Sequence, residues 1–230
     1  MRLLDLVIIV VGPPIHREII FRLIDLVQSR LLPLPPRIPP SSIPPLPTPY
    51  ILHPIPRLST PPPFEEFAQI LREPFIITGG CLHWPAITDS AHSWSSLNYL
   101  QQLAGRGRVV PVESGINYSD KDWSQSIIPF STLLSHLSTP PTTDSLLYLA
   151  QYDLFRQFPK LYNDIIIPDY IYSDTESIEK GYSPPETEEG RIMNAWFGPA
   201  GSTSPAHTDP YFNCYCTSLS SLFRSFVRKR

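Results

Sequence analysis

Fourteen of the chain's 29 prolines fall between Pro33 and Pro63. Proline fixes φ and removes an amide donor, so neither a helix nor a central strand can run through PLPPRIPPSSIPPLPTPYILHPIPRLSTPPP. An extended linker is predicted over 32–63, with a helical segment before it, 1–31, and the main folded part starting at Phe64. PLPPRIPP suits the aromatic grooves of SH3 or WW modules, which makes such a module one expected partner. His53, inside the linker, is expected to be solvated.

The N-terminal MRLLDLVIIVVG looks faintly like a targeting signal. Its apolar run from Leu6 to Val11 is too short to span a bilayer, Asp5 interrupts it, and no small-residue cleavage site follows, so a buried segment is expected. Beyond Pro13 and Pro14, Ile15, Ile19, Leu23, Val27 and Leu31 recur every fourth residue, with Ile20 and Ile24 widening the stripe. Such a helix is marginal alone and needs a partner surface. Its polar face mixes charge signs, which favours packing on the main domain over a membrane surface. A net charge of -3 and a pI near 6.1 give no electrostatic case for nucleic acid or an anionic membrane as partner. Cys81, Cys214 and Cys216 form no even framework, and a lone CxC is a weak metal signal. An intracellular setting, nuclear or cytoplasmic, is expected.

After Phe64 the pattern alternates irregularly between helix and strand. FEEFAQILREP is a short helix ended by Pro74, PFIITGG a strand stopped by two glycines, and HWPAI an irregular turn. SWSSLNYLQQLAG carries Trp94, Leu97, Leu100 and Leu103 at helical spacing and stops at Gly105. VVPVESG, SLLYLAQYDLF and RIMNAWFG are strand candidates, and IPFSTLLSHL a helix. The acidic, proline-bearing region 173–190 is a solvated loop.

In NAWFGPAGSTSPAHTDPYFN, His207 and Asp209 are two positions apart, and on a strand that spacing points both side chains to one face. One imidazole and one carboxylate would supply two of the three ligands of the facial triad that holds non-haem Fe(II). A chance HxD is common, and an exposed histidine near a strand end is the simple alternative. Gly198, Pro199, Gly201 and Pro205 form a turn-rich lead-in between apolar strands, where a sheet hands ligands to a cavity mouth.

These residues, with PFIITGG, HWPAI, VVPVESGINYSDKDWSQ, YLAQYDLF and IPDY in the same order, resemble the JmjC (cupin-like) Fe(II)/2-oxoglutarate oxygenases, and within them the JmjC-only group. The resemblance runs over residues 73–213. It implies a fold that is α+β or mainly β: a double-stranded beta-helix of jelly-roll, cupin-like type with flanking helices, here partial and C-terminally truncated. It implies Fe(II) and 2-oxoglutarate as cofactors and a protein or peptide as substrate, hydroxylated or demethylated on a side chain. Arginyl hydroxylation is described near this group, as are histone demethylase and histone-tail peptidase activities. Residue by residue, His207 and Asp209 match iron ligands, and Tyr148, Trp196, Ser204 and Asn213 match positions lining the 2-oxoglutarate site. Glu113 and Trp123 match the substrate side, an acid and an aromatic face suited to a guanidinium. Without the family, Tyr148 and Trp196 would read as core aromatics, Ser204 as a turn former and Glu113 as a surface charge.

The chain departs from that pattern after Asn213. The family continues into a glycine-lysine strand whose lysine pairs with 2-oxoglutarate, and later supplies a second histidine. Here CYCTSLSSLFRSFVRKR follows, with no histidine after His207 and no lysine in the matching setting. The division is therefore a partial JmjC/cupin-like domain over 64–213 and a divergent basic tail over 214–230, read as a frayed end or a short nuclear address. A barrel lacking later strands leaves edges and apolar faces exposed. The function expected is an oxygenase of this family, impaired by the missing ligand and lysine. The alternative is a non-catalytic truncated fragment or interaction module acting through the linker, and a third reading is a cupin of unrelated chemistry. Whether the chain is itself an enzyme stays open at this stage.

Overall fold

The computed structural model describes residues 1–12, 15–31, 37–38, 52–71, 73–115, 122–139, 146–173, 187, 190–199, 202, 204, 207–217 and, for the backbone alone, 223–229. The acidic loop over 174–186 and most of the proline-rich stretch lie outside the described residues.

The centre is a six-stranded antiparallel sheet in the order β4-β3-β5-β6-β8-β7. Its strands are β3 (Val109–Ser114), β4 (Ser124–Pro129), β5 (Leu147–Tyr152), β6 (Arg191–Phe197), β7 (Asn213–Thr217) and β8 (Phe223–Lys229). A smaller parallel pair joins β1 (Arg57–Leu58) to β2 (Ile76–Ile77). The helices are α1 (Arg2–Val11), α2 (Arg17–Arg30), α3 (Phe64–Ile70), α4 (Pro85–Thr88), α5 (Leu97–Ala104), α6 (Phe130–Leu137) and α7 (Leu154–Gln157). An antiparallel sheet with helices on its flank is the partial jelly-roll the sequence implies.

Period-two alternation makes the sheet two-faced. Val110 and Val112 of β3, Leu149 of β5, and Met193, Ala195 and Phe197 of β6 turn to one face and are all buried. Against them pack Leu133, Leu134 and Leu137 of α6, which follow a 3.6-residue period and are 0 % exposed. Each such leucine contributes about 1.5–3 kcal/mol by leaving water. The N-cap of α5 is Ser96, whose side chain accepts from the Tyr99 amide, and Gly105 ends the helix at φ 79.

Two buried carboxylates fasten the helical layer. Asp5 of α1 is 0 % exposed and receives the Arg108 Nε–H at 2.8 Å, the Val109 amide at 2.9 Å and the Gln157 Nε2–H at 2.8 Å. The Arg108 guanidinium also stacks over the Phe158 ring, 4.5 Å from its centroid. One carboxylate thus joins α1, the entry to β3 and the end of α7. Asp164 does the same work elsewhere: it accepts from the Trp94 indole at 2.8 Å, from the Tyr99 hydroxyl at 2.8 Å and from His92 Nδ1 at 2.6 Å.

Several elements differ from the sequence reading. The residue that interrupts the apolar N-terminus, Asp5, is the one that docks it. In α2 the expected stripe is split: Ile24 is buried and Ile20 and Val27 are half-buried, while Ile19 and Leu23, with Ile15 and Leu31 at the flanks, are exposed. The rotation is set by Gln28, which pairs with both peptide groups of Arg106, at 2.7 and 2.9 Å. HWPAI opens α4, because Pro85 is placed at the first helical turn. Trp94 precedes α5 rather than lying on it. The linker is held at two points: Ile38 is buried with its amide and carbonyl on Asn98, at 2.8 and 2.7 Å, and Arg57–Leu58 form β1. Among the residues after Asn213, those described, 214–217 and 223–229, are in strands rather than a frayed end, and the boundary expected there falls at the start of β7. The free edge of β6 leaves a row of backbone donors and acceptors unpaired, and FRSFVRK, rich in residues that favour extended chain, takes that place as β8 between β6 and β7.

Removing one partner of a buried ion pair leaves the other charge uncompensated. Asp5→Ala is expected to lower unfolding free energy by about 3–5 kcal/mol in urea titrations, and Asp5→Ala with Arg108→Met to recover part of the loss. His92 carries a pH signature. Its hydrogen bond to Asp164 raises it above the ordinary imidazole value of 6.5, burial opposing. A base raised on folding stabilises fully below 6.5 and loses that contribution as pH climbs through the folded value. The melting temperature should therefore fall more steeply over about pH 6–8 in the parent than in His92→Gln. Parallel curves would contradict the assignment.

Candidate functional site

The sheet face opposite the core carries the candidate site. Glu113 and Tyr148 are direct cross-strand partners between β3 and β5. Leu149 pairs with Phe197 on the core face, so Tyr148 and Trp196 share the other face by alternation. Asn194 and Tyr215 are both paired to position 226 of β8, which puts them on that same face, and Asn213 follows by parity on β7. Trp196 and Tyr215 meet directly, with ring centroids 6.3 Å apart at 60°.

Glu113 and Trp123, separated by the β3–β4 connection, come together: the indole Nε1–H donates to Glu113 Oε2 at 3.2 Å. That bond orients a half-buried carboxylate beside an aromatic face, an arrangement that can receive a planar cation. Tyr148 is covered by the chain leaving β6. A methyl group on Gly198 would lie 2.3 Å from Tyr148 Cδ2 and 3.1 Å from Ser202 Oγ, so only glycine lets the backbone pass this close.

His207 and Asp209 lie in the irregular segment ahead of β7. The strand geometry expected of HTD is absent because the ladder begins at Asn213. The two side chains nevertheless face each other, His207 Nε2 standing 4.0 Å from Asp209 Oδ2. Cis ligands held at about 2.1 Å from one cation stand about 3 Å apart, so the pair would have to close by about 1 Å to share one. Asn213, matched by resemblance to the cosubstrate pocket, donates from Nδ2 to Asp209 Oδ2 at 2.7 Å and so orients the carboxylate. Ser204 is exposed on the lead-in. Among the described residues no group of three His, Cys, Asp or Glu side chains is arranged to hold a metal ion. An imidazole and a carboxylate alone fall short of the three-ligand set that holds non-haem Fe(II), so iron does not fit the described residues as a complete centre.

The sequence reading passed over Tyr215 and gave no role to Asn194. Both could have been found by continuing the strand alternation past Asn213 and backwards from Trp196. Among the described residues no helix is long and apolar enough to cross a membrane.

A six-stranded antiparallel sheet flanked by helices, with a histidine and an aspartate just ahead of β7, is consistent with a cupin-like protein. The profile of the family described as "Cupin-like domain" matches residues 61–218, and the chain belongs to that family. Within it the chain is similar to the Jumonji C domain-containing protein 5 of Drosophila melanogaster, 38% identical over 173 residues, 73% of this chain and 39% of the relative. It is similar also to Lysine-specific demethylase JMJ30 of Arabidopsis thaliana, 40% identical over 141 residues, 61% of this chain and 29% of the relative. Lysine-specific demethylase 8 of Danio rerio is 39% identical over 162 residues, 69% of this chain and 36% of the relative. The chain spans less than two fifths of the length of each of these relatives.

Gly198→Ala is expected to destabilise the chain by about 1–3 kcal/mol through overpacking against the Tyr148 ring. Adding Tyr148→Ala should return much of that loss in thermal melts. A Gly198→Ala variant that melts with the parent would contradict the close approach.

Proposed function

We propose that this chain carries the substrate- and cosubstrate-facing wall of an Fe(II)/2-oxoglutarate-dependent oxygenase of protein side chains, a hydroxylase or demethylase, with arginine as the leading substrate. We propose also that within residues 1–230 its metal site is too sparsely ligated for efficient turnover. The observation that carries the reading is parity: Glu113, Tyr148, Trp196 and Asn213 share one sheet face, and His207 and Asp209 are tied to that face through Asn213. Two of the relatives are named as lysine-specific demethylases.

In this reading His207 and Asp209 are the ligands toward iron, and the Tyr148 and Ser204 hydroxyls and the Asn213 amide are the groups available to the carboxylates of 2-oxoglutarate. Asn213 is already engaged by Asp209, and none of these groups is cationic, so the anionic cosubstrate lacks a charge partner among them. Trp196 with Tyr215 walls the pocket. Glu113, oriented by Trp123, favours a guanidinium over a neutral side chain. A protein or peptide substrate suits an intracellular setting, nuclear or cytoplasmic. A proline-binding module would have to use residues flanking Arg37 and Ile38, because Ile38 is buried against the chain's own core.

Anaerobic Fe(II) titration, followed by a succinate assay with 2-oxoglutarate and an arginine-containing peptide, tests the reading. The parent should bind Fe(II) weakly, and His207→Ala and Asp209→Ala should each lose that binding. Succinate release should be near background and rise when free imidazole is added to fill a vacant ligand position. If both variants bind Fe(II) as the parent does, the ligand assignment is overturned. Vigorous imidazole-independent turnover would overturn the impairment, and no succinate even with imidazole would favour the non-catalytic alternative.

A further inference from the structure

One carboxamide on α5 holds a whole residue of the proline-rich stretch. Asn98 Oδ1 accepts from the Ile38 amide at 2.8 Å and Asn98 Nδ2 donates to the Ile38 carbonyl at 2.7 Å, across 60 positions of sequence. The Ile38 side chain is 5 % exposed and belongs to the main core cluster, while Arg37 just before it is exposed. The sequence explains why this residue is the one taken. Of residues 33–40 only Leu34, Arg37 and Ile38 have an amide hydrogen to give. Pro39 biases Ile38 to extended backbone, in which the N–H and C=O of one residue point the same way. A carboxamide presents one donor and one acceptor side by side, which matches that pair. Main-chain hydrogen bonds beside one side-chain pocket are the means by which extended peptides are read.

We propose that Asn98 and the pocket behind Ile38 form a peptide-docking site that reads an aliphatic residue followed by proline, and that its occupant, the chain's own Ile38, exchanges with the same segment supplied from outside. The site stands on α5 and uses none of the residues assigned to the open face of the sheet. The ligand it fits is an extended, proline-bearing peptide. The exposed Arg37 shows that the residue before the isoleucine is not enclosed, so the isoleucine and its two main-chain groups carry the recognition.

Two hydrogen bonds and one buried side chain make a weak bond between separate molecules, because association must first offset lost translational and rotational freedom. A ligand carried on the same chain escapes most of that cost through its high effective concentration, so the cis segment holds the site most of the time. A module that reads Ile38 itself gains access to PLPPRIPP only while the dock is open.

Fluorescence anisotropy of a labelled PLPPRIPPSS peptide, residues 33–42, titrated with the full chain tests the proposal. Ile38→Asp vacates the site, and that variant should bind the peptide about tenfold or more tightly than the parent, whose site is free only a fraction of the time. A peptide carrying the same Ile38→Asp change should not bind. Asn98→Asp keeps the size of the side chain and removes the donor to the Ile38 carbonyl, so adding it to the Ile38→Asp chain should abolish peptide binding. Equal peptide binding by the parent and a folded Ile38→Asp chain, whether tight or absent, would overturn the proposal, as would binding that survives Asn98→Asp. Should Ile38→Asp fail to fold, native-state hydrogen exchange on the parent decides. The Ile38 amide is expected to exchange through a local opening, faster than the amides of β3, and exchange only by global unfolding would mark a fixed core residue and overturn the proposal.

Discussion

Parity along the strands is the constraint on which the rest of this structure depends. Val110, Leu149, Ala195 and Phe197 are each 0 % exposed, and burying them on one face sends Glu113, Tyr148 and Trp196 to the other. A register slip of one residue would carry an acid and two large aromatics into the core and expose the aliphatic set. Hydrophobic burial on the helical side therefore specifies which side chains the open side presents. The site is in this sense a by-product of the core.

Polar interactions act at the joints. Asp5 and Asp164 are both fully buried, and each is surrounded by donors from elements distant in sequence. A buried carboxylate tolerates burial only with such a set of donors, so each fixes the relative placement of several elements at once. Through Arg108 and the Val109 amide, Asp5 sets where β3 begins, and the parity of β3 sets the face of Glu113. The open face is held differently, by Asn213 on Asp209, Trp123 on Glu113 and the Tyr148 ring under Gly198.

Local patterns in the sequence were enough to place β3, β5, β6, α5 and α6, because alternation and helical spacing are written within each segment. The family was legible from ordered blocks ending in HTDPYFN, and the cupin-like profile over 61–218 agrees with it. Pairings across long separations were not legible. Asp5 and Arg108 are 103 positions apart, and in isolation Asp5 is only a break in an apolar run. The stripe of α2 was only half right for the converse reason: its spacing is regular, while the docking that turns Ile24 in and Ile19 and Leu23 out includes a glutamine contacting a backbone far along the chain. The tail looked foreign to the family, yet an unpaired sheet edge accepts a chain able to extend, and β8 pairs there between β6 and β7. The strand assigned to His207 and Asp209 failed because the ladder starts only at Asn213, beyond Pro210, which has no amide hydrogen to give it.

The central claim is that the His207–Asp209 pair, proposed to take a metal ion, and the aromatic wall share one face, with the core packed on the other. The four tryptophans allow this to be measured directly, since Trp84 and Trp94 are each 1 % exposed in the core layer and Trp196 lines the open face. Paramagnetic Mn(II) titrated into the 15N-labelled chain should broaden the indole N–H signal of Trp196 first, with those of Trp84 and Trp94 persisting. Loss of the Trp84 and Trp94 signals at the same Mn(II) concentration, or a Trp196 signal untouched by it, would contradict the account.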